Sequence, residues 1–143
     1  FTTVALLVGM LNTRGEHPCR TASPPMAVVN WFGITDIEAV QEFLSETLPN
    51  GNYAAAWIGN ADKVSEISSK YSPLFLVSEN TPPVITIHGD LDSVVPYEQA
   101  TALHESLSTV NRLVTVKGGN HSGFTNAQYH DAYQTIFRFI NEL

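Results

Sequence analysis

Two short stretches of this sequence hold residue types that could move a proton. One is His88-Gly89-Asp90-Leu91-Asp92. The other is Gly118-Gly119-Asn120-His121-Ser122-Gly123-Phe124. Each follows an apolar run that reads as a strand. A carboxylate after one strand and a histidine after the next form the acid–base half of a nucleophilic triad. The histidine takes a proton from a nucleophile and returns it to the leaving group, while the carboxylate fixes the ring tautomer and stabilises the imidazolium. His121, set among glycines ahead of a helix start, is the candidate base. Asp90 and Asp92 both stand as candidate acids. Asp90 also suits a turn in which its side chain caps backbone N–H groups. His88, at the strand end, is expected to be a structural residue hydrogen-bonded to backbone. His104 and His130 fall on predicted helices, at solvated or interface positions.

The elements that must position these groups follow from periodicity. Residues 4–11 are apolar on nearly every side and rich in helix formers, which predicts a buried helix. Residues 12–25 carry breakers and read as a loop. Residues 26–32 (MAVVNWF), closed by Gly33, read as a buried strand. Thr35 and Glu38 have the spacing of a capping box, with Thr35 as the cap. Ile37, Val40, Leu44 and Leu48 then line one face of a helix that ends before Pro49. Residues 52–60 are small and aromatic. Residues 61–70 fit a short helix capped by Asn60. Residues 84–88 (VITIH) are the strongest strand in the chain. Pro96 suits the first turn of a helix with Tyr97, Ala100, Leu103 and Leu107 on one face. Residues 112–116 (RLVTV) are a third strand. Thr125 and Gln128 repeat the capping-box spacing, ahead of a stripe of Tyr129, Ala132, Tyr133, Ile136, Phe137 and Ile140. Strands separated by helices predict an α/β fold of about three parallel strands, flanked by helices and joined by right-handed crossovers. In open parallel sheets, functional groups gather at the carboxyl ends of the strands.

The stretch PPVITIHGDLDSVVPYEQA, followed by VKGGNHSGF, resembles the C-terminal half of the α/β-hydrolase fold. Its nearest likeness is to bacterial carboxylesterases of the acetyl-esterase and feruloyl-esterase-like type. Trp31-Phe32-Gly33-Ile34-Thr35-Asp36 resembles a strand-end segment of those esterases, and Ser72-Pro73-Leu74 the segment before their acid strand. The resemblance covers nearly the whole chain. It implies that Asp92 is the triad acid, with Asp90 a turn residue and His121 the histidine, in the order nucleophile, acid, histidine. It also implies small acetylated or feruloylated carbohydrate esters as substrates, and no cofactor. Residues 35–71 would form a cap-like helical insertion, where substrate choice is usually made. Trp31 and Phe32, at a strand end, either line the acyl or sugar pocket or pack in the core.

The resembling esterases place their nucleophilic serine in G-x-S-x-G on a sharp strand-to-helix turn, and residues 1–143 contain no such motif. Ser122 neighbours His121 in the chain but lacks that turn. Residues 1–11 resemble the helix that follows the turn, so the nucleophile and the oxyanion donors are expected just upstream of Phe1. On that expectation residues 1–143 are a single partial domain, inactive alone. The strand at 26–32 would have an uncovered edge, which predicts self-association. A prolyl-oligopeptidase-type serine peptidase or a dienelactone-type hydrolase is the next reading. A non-catalytic hydrolase-fold binding or scaffold protein is the alternative from another class. The residue at the turn discriminates them: serine for esterase or peptidase, cysteine for the dienelactone type, anything else for a scaffold.

Composition narrows the partners. The net charge of −7 argues against nucleic acid, whose binders carry a basic stripe. Cys19 is the one cysteine, so no internal disulfide forms. His17 and Cys19 lack two further nearby ligands for zinc, and no metal is expected. No apolar run approaches the roughly 20 residues of a membrane span. The sequence leaves cellular location open.

Overall fold

A computed structural model describes residues 2–13, 23 and 25–143. His17 and Cys19 lie outside the described residues. The sheet is built on β2 (Val84–Gly89), buried along its whole length. It pairs in parallel with β1 (Val28–Trp31) on one side and β3 (Asn111–Val116) on the other. Side chains of a strand alternate between faces. Ile85 and Ile87 therefore pack with Phe124, Ala132, Ile136 and Phe139, at and within α6 (Asn126–Asn141). Val84 packs on the other face with Leu6 and Met10 of α1 (Thr2–Thr13) and Leu103 of α5 (Glu98–Ser106). Burial on both faces explains why 84–88 reads as a nearly unbroken apolar run. Gly9 lets α1 approach β1 closely, since a Cβ there would stand 2.8 Å from Val28 Cγ2.

Three helix starts differ from the expectation. The N-cap of α2 (Ile37–Thr47) is Asp36, whose Oδ1 accepts from the backbone N–H of Glu38 and Ala39. Thr35 does not cap, because Gln99 of α5 captures it. The Thr35 hydroxyl donates to the Gln99 carbonyl at 2.7 Å, and the Thr35 N–H donates to Gln99 Oε1 at 2.9 Å. Asn60 caps a 3-10 turn at Ala61–Lys63, and α4 (Val64–Tyr71) follows it. Pro96 stands before α5, with its carbonyl accepting from Gln99 N–H. The capping box at Thr125 and Gln128 forms in full. Tyr133 and Phe137 are 51% and 61% exposed, so the buried stripe of α6 is narrower than its apolar residues suggest.

Residues 52–60 contain a further helix, α3 (Tyr53–Ile58). Asn52 caps it, accepting from Ala55 N–H, and Gly59 closes it with φ +74°. Val40 and Leu44 of α2 and Ala54 of α3 share a cluster with Val95, so this helical unit rests on the loop that follows β2. Among the described residues, β1 pairs only with β2, and no helix is long and apolar enough to cross a membrane.

Candidate active site

The loops after β2 and β3 are pressed together at their bases. A Cβ on Gly89 would lie 2.2 Å from the Gly119 carbonyl oxygen, closer than atoms can approach. Leu91 N–H donates to that same carbonyl at 2.9 Å. Asp90 adds a second tie: its Oδ1 accepts from Gly118 N–H at 2.7 Å and its Oδ2 lies 3.1 Å from Lys117 Nζ. The Lys117 hydrogen bond, with that from Gly118, holds the partly buried Asp90 carboxyl below its usual range. Asp90 is thus engaged in joining the loops. Asn120 makes the third tie, with Oδ1 accepting from the N–H groups of Ser93 and His121.

These ties bring Asp92 to His121. Asp92 Oδ2 lies 2.9 Å from His121 Nδ1. The Asp92 side chain is fully buried, and that of His121 is 31% exposed. Asp92 Oδ1 accepts from the N–H groups of Val94 and Val95, both at 2.8 Å. Burial alone would raise the Asp92 carboxyl. Hydrogen bonds from His121, His88, Val95 and Val94 outweigh it and hold the group far below the usual carboxylate range. An ionised Asp92 requires His121 to present Nδ1–H to it, which leaves Nε2 as the nitrogen for proton transfer.

His121 borders an open cavity of about 480 Å³, lined also by Trp31, Phe32, Ile34, Tyr53 and Val95. Phe32 is the one described non-glycine residue with positive φ, at +40°. That conformation is sparsely populated for an aromatic residue. It follows directly on β1, where Phe32 N–H donates to the Ile87 carbonyl, and the Phe32 ring centroid lies 4.5 Å from that of His121. Trp31 packs against Tyr129 and Tyr133. The two aromatics therefore both line the cavity and pack against neighbours.

His88 is fully buried and hydrogen-bonded to the Val95 carbonyl, with a further contact to Asp92. His104 is not a solvated position. Its Nε2 bonds Thr86 Oγ1 and its Nδ1 bonds Asn111 Oδ1, both at 2.8 Å. Burial lowers its pKa against the raising effect of Asn111. His130 is exposed. Tyr53 and the strained turn at Phe32 carried no signal in the sequence, and Asn120 carried one only as the neighbour of His121. Among the described residues no group of three or more His, Cys, Asp or Glu could hold a metal ion.

Three parallel strands and six helices among the described residues, with an acid and a histidine at successive strand ends, make this part of an α/β-hydrolase fold. The profile of the BD-FAE family matches residues 3–107, and the chain belongs to that family of α/β-hydrolase esterases. Esterase LipC of Mycobacterium tuberculosis is 41% identical over 51 residues, covering 36% of this chain and 13% of LipC. A truncated carbohydrate esterase from gut microbiota superposes with a TM-score of 0.73 at 23% identity, over 98% of this chain and 56% of that one. An acetyl ester-xyloside bifunctional hydrolase from Caldicellulosiruptor lactoaceticus gives 0.70 at 21% identity, over 98% and 53%. A puromycin-hydrolyzing peptidase of M. tuberculosis gives 0.70 at 20% identity, over 81% and 18%. The chain thus spans about half the length, or less, of these proteins.

Proposed function

We propose that this chain supplies the acid and the base of a serine hydrolase acting on carboxylic esters, with Asp92 as acid and His121 as base. The observation that carries the reading is the 2.9 Å bond between Asp92 Oδ2 and His121 Nδ1, at the edge of an open cavity. A serine outside residues 1–143 is the nucleophile. Its Oγ attacks the ester carbonyl carbon as its proton passes to His121 Nε2. The tetrahedral intermediate then expels the alcohol, which leaves with that proton. Water, deprotonated by His121, releases the acid and restores the serine.

Small acetylated or feruloylated carbohydrate esters are the proposed substrates, supported by membership of the BD-FAE family. Trp31 and Phe32 form part of the wall against which the ester lies. The peptidase alternative has only fold likeness behind it. The absence of G-x-S-x-G from the sequence supports an inactive isolated chain, and the place of β1 at one end of the sheet formed by the described residues supports its self-association.

The test is hydrolysis of p-nitrophenyl acetate and methyl ferulate. A polypeptide extended through the upstream strand–turn should turn over at least one of them, and residues 1–143 alone neither. Turnover by the isolated chain that depends on Asp92 and His121 would overturn the proposal.

A further inference from the structure

Two imidazoles stand beside Asp92 Oδ2, that of His121 at 2.9 Å and that of His88 at 3.2 Å, and the proposed reaction uses only the first. His88 Nε2 lies 2.9 Å from the Val95 carbonyl oxygen and 3.2 Å from Asp92 Oδ2, with both the His88 and Asp92 side chains fully buried. Both neighbours of Nε2 accept hydrogen bonds, since one is a carbonyl and the other a carboxylate. Nε2 must therefore carry the proton. The opposite nitrogen agrees with this: Nδ1 is buried and has no hydrogen-bond partner among the described residues. Tyr97, at the N-cap of α5, packs on the imidazole, its ring edge-on at 5.7 Å and its hydroxyl tied to Thr115 of β3.

We infer that His88 is a positioning residue, whose Nε2–H fixes Asp92 Oδ2 at the point where it meets His121 Nδ1. Asp92 Oδ1 is pinned by Val94 and Val95 N–H, so the carboxylate still has one freedom, rotation of Oδ2 about that pin. Inside the fold, His88 is the donor that opposes this rotation. The inference rests on the proposed roles of Asp92 and His121 for its catalytic meaning, but its geometry can be read without any catalysis.

The experiment uses the 143-residue chain and an isosteric pair of variants. His88→Gln keeps an N–H donor near the place of Nε2, while His88→Met fills similar space with none. Imidazole NMR at low temperature reads the deshielded His121 Nδ1–H proton, and the Val94 and Val95 amides report whether the loop is intact. The wild type is expected to show His88 as its Nε2–H tautomer together with a hydrogen-bonded His121 Nδ1–H. Methionine should shift or broaden away the His121 proton while the two amides stay in place, and glutamine should restore it. An unchanged His121 proton in His88→Met overturns the inference, as does a His88 ring protonated at Nδ1 alone. A methionine variant whose Val94 and Val95 amides also move overturns it in favour of a purely structural role. Ester hydrolysis is not read here, so failure of the proposed reaction leaves a separate trace.

Discussion

Phe32 carries its ring to within 4.5 Å of the His121 ring from a backbone with φ +40°. Conformations of this kind cost on the order of 1–3 kcal/mol and persist where surrounding structure over-determines them. Here Trp31 and Phe124 flank the ring, and the Ile87 carbonyl holds the backbone. Phe32→Ala is expected to lower kcat for ester hydrolysis about tenfold by loosening His121, a cost that fits small misplacements of reacting groups. Steady-state kinetics on the nucleophile-containing polypeptide checks this. An unchanged kcat with only KM raised would assign Phe32 to substrate contact alone.

Gly89→Ala should be far more damaging. The new Cβ would meet the Gly119 carbonyl oxygen at 2.2 Å, and the atoms it meets, in Gly119 and Asn120, are all backbone. Forced contacts in packed regions cost about 1–3 kcal/mol, occasionally more. The expected outcome is a lower urea midpoint and a weakened His121–Asp92 bond. Urea unfolding with imidazole NMR measures both. Wild-type stability in this variant would show that the two loops can separate freely.

Acid should unfold the protein through Asp92. Its folded pKa lies below that of the unfolded chain, about 3.9 for a free Asp. A depressed group contributes stability that is fully present above the unfolded value and is lost as pH falls through the folded one. Stability is therefore expected to hold down to about pH 4 and to fall below it. In Asp92→Asn the fall should be shallower. Circular dichroism against pH compares the two, and parallel acid profiles would remove Asp92 from the account.

The meeting of Asp92 and His121 was legible because a carboxylate and a histidine follow two apolar runs, and these runs pair as parallel strands. β2 was legible for the same reason, since burial on both faces leaves a continuous apolar run. What stayed hidden depends on contacts distant in sequence. Thr35 looked like a cap, but Gln99, 64 residues away, takes its hydroxyl. α3 escaped because six residues, three of them alanine, show little period, although Asn52 and Gly59 bracket them as cap and stop. His104 reads as a surface helix position until Thr86 and Asn111 are seen on its two nitrogens. The positive φ of Phe32 has no sequence signature, since it is imposed by the packing of its neighbours.

The outer edge of β1 predicts association. β1 (Val28–Trp31) stands at one end of the sheet that the described residues form, with β2 as its neighbour, and the backbone of a strand at a sheet edge is a template for another strand. Light scattering of residues 1–143 should show mass rising with concentration, and less so when Val29 is replaced by Pro. A monomer at every concentration would refute the prediction.

The central claim is that Asp92, not Asp90, orients His121 for ester hydrolysis. The direct measurement is kcat and KM for p-nitrophenyl acetate with the nucleophile-containing polypeptide, its Asp92→Asn variant and its Asp90→Asn variant. Asp92→Asn should lower kcat on the order of 10⁴-fold with KM little changed, because the wrong tautomer of His121 is then favoured. Asp90→Asn, which only loosens the tie to Gly118 and Lys117, should stay within about tenfold. The reverse pattern, or an Asp92→Asn enzyme with wild-type kcat, would contradict the account.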